Sequence, residues 1–236
     1  MKTRALAYTD HGVDFEGMLA FDRGAGARPL VLIFPTIMGR SDHELDAAQR
    51  LVRLGYAALA VDLYGKAEIG ASRDHCRTLM NALLGDRPRL QARMAAVLDL
   101  ARSQPEADGE RVAAIGFCFG GLCALDLART GADLKGAAAF HGLLTPPGNL
   151  ESTKIGAKII VFHGWDDPMA PPAHVEALGR ELDAAGADWQ VHAYGGTGHS
   201  FTNPKAADPA SGLQYNETAA ERAWRSLDGF LAECFA

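Results

Sequence analysis

The sequence predicts an α/β protein built on a mainly parallel central sheet with helices on both faces. Three observations lead there. Short apolar runs alternate with amphipathic stretches from residue 30 to the C-terminus, the pattern of strands joined by helical crossovers. The runs are apolar at nearly every position rather than at every second one, as strands buried on both faces require. The 236 residues, 48% hydrophobic and 22% charged, are enough for one large core.

Residues 30–35, 56–61, 111–115, 136–140, 158–163 and 189–194 read as buried strands. After the first, Ser41-x-x-Glu44 forms a capping box, in which hydroxyl and carboxylate satisfy the opening amides of a helix. Leu45, Ala48, Leu51 and Val52 then follow at helical spacing. Further stripes comprise Leu90, Met94, Val97, Leu98 and Ala101, then Val175, Leu178, Leu182 and Ala185. The last helix carries Ala220, Trp224, Leu227, Leu231 and Cys234 on one face. Residues 10–22 are expected to supply an N-terminal hairpin or edge strand. The 65–87 region is the least periodic and is read as lid-like. With no long linker, repeat or low-complexity tract, residues 1–236 are expected to form a single domain.

Composition excludes several classes of function. A formal net charge of -6 gives no electrostatic reason to bind nucleic acid or an anionic membrane. No window reaches the apolar length of a membrane-spanning helix. The opening "MKTRALAYTDHGVDFEG" is too polar for a secretory leader, so a cytoplasmic location is expected. The four cysteines, Cys76, Cys118, Cys123 and Cys234, lack C-x-x-C spacing. Neither a zinc site nor a disulfide framework is expected, and all but Cys118 are read as packing residues. No H-x-x-x-H, EF-hand or P-loop pattern occurs.

Cys118 stands apart because of its neighbours, "AIGFCFGG". Gly116-x-Cys118-x-Gly120 follows a predicted strand and precedes an apolar stretch, 119–129, that reads as a helix. A nucleophile elbow has this layout, since the sharp strand-to-helix turn tolerates only small residues two positions either side. A helix N-terminus beside the sulfur favours the thiolate, the nucleophilic form.

A thiol nucleophile needs a base, and the base an orienting group. In an open parallel sheet these lie beyond the carboxyl ends of later strands. Strand 158–163 runs into Gly164-Trp165-Asp166-Asp167-Pro168, and strand 189–194 into Gly195-Gly196-Thr197-Gly198-His199. The order nucleophile, acid, histidine is that of the elbow-bearing hydrolases. Of the two aspartates, Asp167 stands at the far side of the turn, where it can aim back at His199. Asp166 reads as a turn or cap residue.

"FPTIMG", "AVDLYG", "IGFCFGG", "HGWDDP" and "GTGHSF", in this order and spacing, resemble the dienelactone hydrolase family. The resemblance runs from residue 14 to residue 235. It implies an α/β-hydrolase fold, a triad of Cys118, His199 and Asp167, and an oxyanion hole from the backbone amides of Ile37 and Phe119. It also implies cleavage of a small ester or lactone without metal or organic cofactor. Two positions depart from the family pattern. Thr36 stands where dienelactone hydrolases proper carry a glutamate that interacts with the resting thiol. Asn203 stands where they carry an arginine that binds the substrate carboxylate, and an amide does not replace that charged fork.

Tyr64 and His141, each just after a strand, and Trp165, beside the acid, join Thr36 and Asn203 as candidates for lining the substrate pocket. His163 is read as a satisfied packing residue. Two rival readings remain at this level: a non-catalytic ligand-binding or regulatory protein on the same fold, and a thiol-dependent acyl transferase. Nothing in the sequence bears on oligomeric state.

Overall fold

The computed structural model describes residues 1–24, 26–150 and 154–236. They divide into two compact units, Met1–Ala114 and Ile115–Ala236.

The first unit opens with an antiparallel hairpin, β1 (Lys2–Asp10) and β2 (Val13–Phe21). His11 and Gly12 form its two-residue turn with φ of 48° and 77°, the left-handed pair that matches the twist of a hairpin. The sequence predicted structure only from residue 10. β1 escaped because a single one of its residues, Leu6, is buried, which leaves no apolar alternation to read. β2 pairs antiparallel with β4 (Ala57–Ala60), Leu19 opposite Leu59. β3 (Arg28–Phe34) pairs parallel with β4, Leu32 opposite Leu59. With β5 (Ala107–Phe117) the order is β1-β2-β4-β3-β5.

Between these strands lie α1 (Asp42–Arg53), α2 (Arg73–Gly85) and α3 (Arg87–Arg102). Ser41 and Glu44 close the capping box on α1 in both directions. α2 occupies the 65–87 region, where periodicity was weakest. Only Cys76 and Leu83 of its residues are buried, so no apolar stripe marks it. Its Leu79 and Leu83, with Val13, Phe15, Leu63 and Tyr64, line a cavity of about 270 Å³.

The second unit begins within β5 and runs through α4 (Phe119–Arg129), β6 (Gly136–Phe140), β7 (Lys158–Gly164), α5 (Pro172–Ala184), β8 (Trp189–Tyr194) and α6 (Glu217–Cys234). Its strand order is β5-β6-β7-β8. β6 pairs parallel with β7, and β7 with β8. Every residue of α4 and of β6 is buried, as expected of elements covered all round. Phe117, Phe140 and Phe162 stack across the adjacent strands at centroid spacings of 4.9 and 4.6 Å, and Trp224 of α6 meets Phe140 at 5.2 Å. Phe117 and Phe140 are the last residues of β5 and β6, so this aromatic row lies near the carboxyl ends of the strands. Among the described residues, no helix is long and apolar enough to cross a membrane.

Candidate active site

β5 ends at Phe117 and α4 starts at Phe119, leaving Cys118 alone to make the turn. It does so with φ 56° and ψ -116°, a backbone that costs a non-glycine residue about 1–3 kcal/mol. The cost is offset by three hydrogen bonds. The Cys118 amide donates to the Phe140 carbonyl at 3.0 Å, and the Cys118 carbonyl accepts from the amides of Gly121 at 3.0 Å and Leu122 at 3.4 Å. A Cβ on Gly116 would fall 1.9 Å from the Gly120 carbonyl oxygen, and one on Gly121 would fall 2.7 Å from Gly142 Cα. The glycines are therefore steric necessities. This is the geometry of a nucleophile elbow, with a half-exposed thiol at its apex.

His199 sits in the loop after β8, its ring 1% exposed. The chain is fixed on both sides there, the His199 amide donating to Gly212 at 2.8 Å and its carbonyl accepting from Gln214 at 3.2 Å. The turn after β7 is laced to the same loop. Trp165 donates its amide to Tyr194 and Asp166 to Thr197, at 2.9 and 3.0 Å. A Cβ on Gly164 would meet the Gly198 carbonyl oxygen at 2.4 Å. The backbones of the two loops thus approach closely, which is why both are rich in glycine.

That contact brings Asp167 to the histidine. Asp167 Oδ2 lies 2.7 Å from His199 Nδ1, while Oδ1 accepts the Met169 amide at 2.8 Å. Asp167 is buried and Asp166 exposed. With Nδ1 committed, Nε2 is the ring nitrogen left to interact with the Cys118 side chain, and it reaches no other partner of hydrogen-bonding geometry. Burial disfavours the cationic ring, but the hydrogen bonds and charges of Asp167 and Cys118 outweigh it and raise His199 to about 10. An imidazolium beside the sulfur favours the thiolate. The three groups can therefore hold a nucleophile and a proton donor in one array, with the acid and base buried behind a half-exposed thiol.

His141 is the nearest addition to this array. It is buried, adopts φ 38°, and shares a 2.8 Å hydrogen bond between its Nε2 and Thr202 Oγ1. Its ring meets that of His199 edge-on at 5.1 Å and that of Phe201 at 5.3 Å. It therefore packs against the His199 ring without sharing a hydrogen bond with it. His163 differs from expectation. It is fully buried, yet neither ring nitrogen has a hydrogen-bond partner. Burial lowers its pKa, against the opposing charge of Asp167 and with a smaller contribution from His199. Trp165 is 46% exposed, a surface residue of the acid turn. Asn203 turns its Oδ1 to the Lys205 amide at 3.0 Å and so braces its own loop.

The remaining sequence candidates belong to the first unit. Thr36, Ile37 and Met38 follow β3 in a tight turn, with the Gly39 amide donating to the Thr36 carbonyl at 3.1 Å. Tyr64 donates its hydroxyl to the Ile37 carbonyl at 3.1 Å and lays its ring over Gly39. It is a clamp on this turn. Glu44, read from sequence only as a helix cap, also binds the Thr36 amide at 3.1 Å. Burial pushes its carboxyl up to about 7, against the hydrogen bonds from Ser41 and Thr36. Its S-x-x-E spacing was visible in the sequence, but its contact with Thr36 was not. Among the described residues, no group of three or more His, Cys, Asp or Glu side chains is arranged to hold a metal ion.

Comparison with known proteins identifies the family and the fold. The family model described as the dienelactone hydrolase family matches residues 15–235. A solved structure described as a dienelactone hydrolase-like promiscuous phosphotriesterase from metagenomic libraries is 39% identical, with a TM-score of 0.93 over 100% of this chain and 99% of that one. An uncharacterised protein of Caenorhabditis elegans is 36% identical over 63% of this chain and 96% of its own length. A protein of Yersinia pestis, named as a candidate carboxymethylenebutenolidase, is 29% identical over 89% of this chain and 80% of its own. The chain belongs to the dienelactone hydrolase family, carboxylic ester and lactone hydrolases on the α/β-hydrolase fold.

Proposed function

We propose that the protein hydrolyses a small carboxylic ester or lactone through a thioester formed on Cys118. The observation that carries this reading is the buried 2.7 Å contact of Asp167 with His199 Nδ1, which leaves Nε2 for the thiol. The Cys118 thiolate attacks the substrate carbonyl carbon, and the carbonyl electrons move onto oxygen. Phe119 opens α4 directly after Cys118, the position from which an elbow offers one backbone donor to the oxyanion. Its N–H is the proposed first donor to that oxyanion, and the Ile37 N–H the proposed second. As the tetrahedral intermediate collapses, the C–O bond breaks and His199 Nε2–H protonates the leaving alkoxide. His199, now neutral, takes a proton from water, the hydroxide attacks the thioester, and the sulfur departs as thiolate. Asp167 holds the tautomer and stabilises the ring whenever it is charged. A binder has no need of this proton relay around a strained cysteine.

The 39%-identical relative is described as a phosphotriesterase, so attack of the same thiolate at phosphorus is a second reading. Both are tested by one panel: aryl esters and lactones in neutral and carboxylated versions, with an aryl dialkyl phosphotriester, scored by kcat/KM. Ester cleavage should exceed phosphotriester cleavage, and neutral substrates should equal or beat their carboxylated partners. Asn203→Arg should then improve the carboxylated substrates selectively, by up to about 1.5–3 kcal/mol if the new pair is well formed. A native preference for carboxylated substrates would refute the substrate assignment and direct mutagenesis to the cations of the 65–87 region, Arg77 in α2 and Arg87 at the start of α3.

A further inference from the structure

Glu44 is engaged in two directions. As the third residue of α1 it turns Oε2 back to the Ser41 amide at 2.9 Å and the Ser41 hydroxyl at 2.7 Å, which is ordinary capping. Its other oxygen leaves the helix, Oε1 accepting the Thr36 amide at 3.1 Å. Thr36 and Ser41 are the two ends of the loop that joins β3 to α1. One carboxylate therefore ties both ends of that loop. Inside it, Met38 donates its amide to Thr36 Oγ1 at 3.2 Å, so the Thr36 residue is held from both its amide and its side chain.

Capping does not account for the burial of this group. Ser72 and Asp86 cap α2 and α3 from exposed positions, whereas Glu44 is 0% exposed. Burying a carboxylate opposes folding unless hydrogen bonds compensate, and here burial already pushes the group up to about 7. The chain tolerates that cost at a helix whose cap also reaches the residue preceding Ile37.

We propose that Glu44 is a positioning residue for the reaction, fixing the 36–41 loop so that the Ile37 amide is held where the developing oxyanion needs it. The proposal rests on the oxyanion role given to Ile37 above. It separates Glu44 from the thiol chemistry: Glu44 acts on the transition state through a backbone amide, not on the resting nucleophile.

Glu44→Gln tests this. The side chain keeps its shape but retains one acceptor oxygen, so its NH2 must oppose either the Thr36 or the Ser41 donors. With a neutral aryl ester, kcat should fall by about 10–100-fold, part of the effect of losing an oxyanion donor outright, while KM changes little. Iodoacetamide should label Cys118 at the native rate, because thiol activation belongs to His199. Ser41→Ala, which loses the cap hydroxyl but not the Thr36 contact, should lower the melting temperature with a smaller loss of kcat. If Glu44→Gln does not fold, Glu44→Asp keeps the charge but is too short to span both ends, and the same kcat-selective loss is expected. Native kcat in a folded variant would overturn the proposal. So would a fall in kcat matched by an equal fall in Cys118 labelling, which would mean general distortion. Normal kcat in Glu44→Gln beside a dead Cys118→Ala would refute the role of Glu44 alone, whereas an active Cys118→Ala would refute the thiol mechanism itself.

Discussion

Replacing Cys118 with alanine should reduce ester cleavage by about 10⁴-fold or more, since the nucleophile of such an array is not replaceable by its partners. The fold should survive. Cys118 is half-exposed, and its amide and carbonyl hydrogen bonds involve backbone only. Alanine inherits the same φ of 56° and adds no strain that cysteine lacks. Thermal melting near the native temperature, together with the lost turnover, would assign the effect to chemistry. Substantial turnover by the folded variant would remove Cys118 from the mechanism.

Asp167→Asn should lower kcat by roughly 10² to 10⁴, as expected when the histidine loses the carboxylate that fixes its tautomer. Asp166→Asn should cost little, because that side chain is exposed and the residue's contribution to the turn, the amide bond to Thr197, is backbone and survives the change. The reverse ranking would move the acid to Asp166. A second consequence concerns stability. His199 stands above its ordinary value, at about 10 instead of 6.5, with Asp167 as its principal stabilising partner. The folded protein therefore binds the His199 proton more tightly than the unfolded chain does. Its contribution is fully present below about pH 6.5 and is lost as pH rises towards 10. Asp167→Asn should accordingly flatten the fall in melting temperature between pH 7 and pH 10. An unchanged slope would show that Asp167 does not hold the proton there.

The site was legible where its chemistry is written in local spacing. Gly116, Cys118 and Gly120 form one turn, so their geometry follows from three neighbouring residues, as does the glycine-rich approach to His199. The preference for Asp167 over Asp166 also came from local reasoning, on which side of a turn faces back. Glu44 shows where local reasoning stops. Its role as a cap follows from four consecutive residues, but its bond to Thr36 spans eight and depends on how β3 enters α1. The fold divides along the same line. Buried strands such as β4 and β6 announce themselves by unbroken apolar runs. β1 and α2 were missed or blurred because each buries only one or two side chains and so leaves too faint a period to read. His163 looked like a packing residue because sequence reports apolar neighbours, not whether a ring nitrogen finds a partner.

The central claim is that Cys118, activated by His199, is the reacting group. The most direct measurement is activity against the fraction of Cys118 alkylated, with iodoacetamide as reagent and peptide mass spectrometry as readout. Cys76 and Cys234 are buried or half-buried thiols whose surroundings raise their pKa, that of Cys234 to about 12, and Cys123 is buried. Cys118 should therefore be labelled first, and activity should fall in direct proportion, reaching zero at one equivalent. In His199→Ala the labelling should slow sharply, because the thiol has lost its base. Full ester hydrolysis after quantitative alkylation of Cys118 would contradict the account.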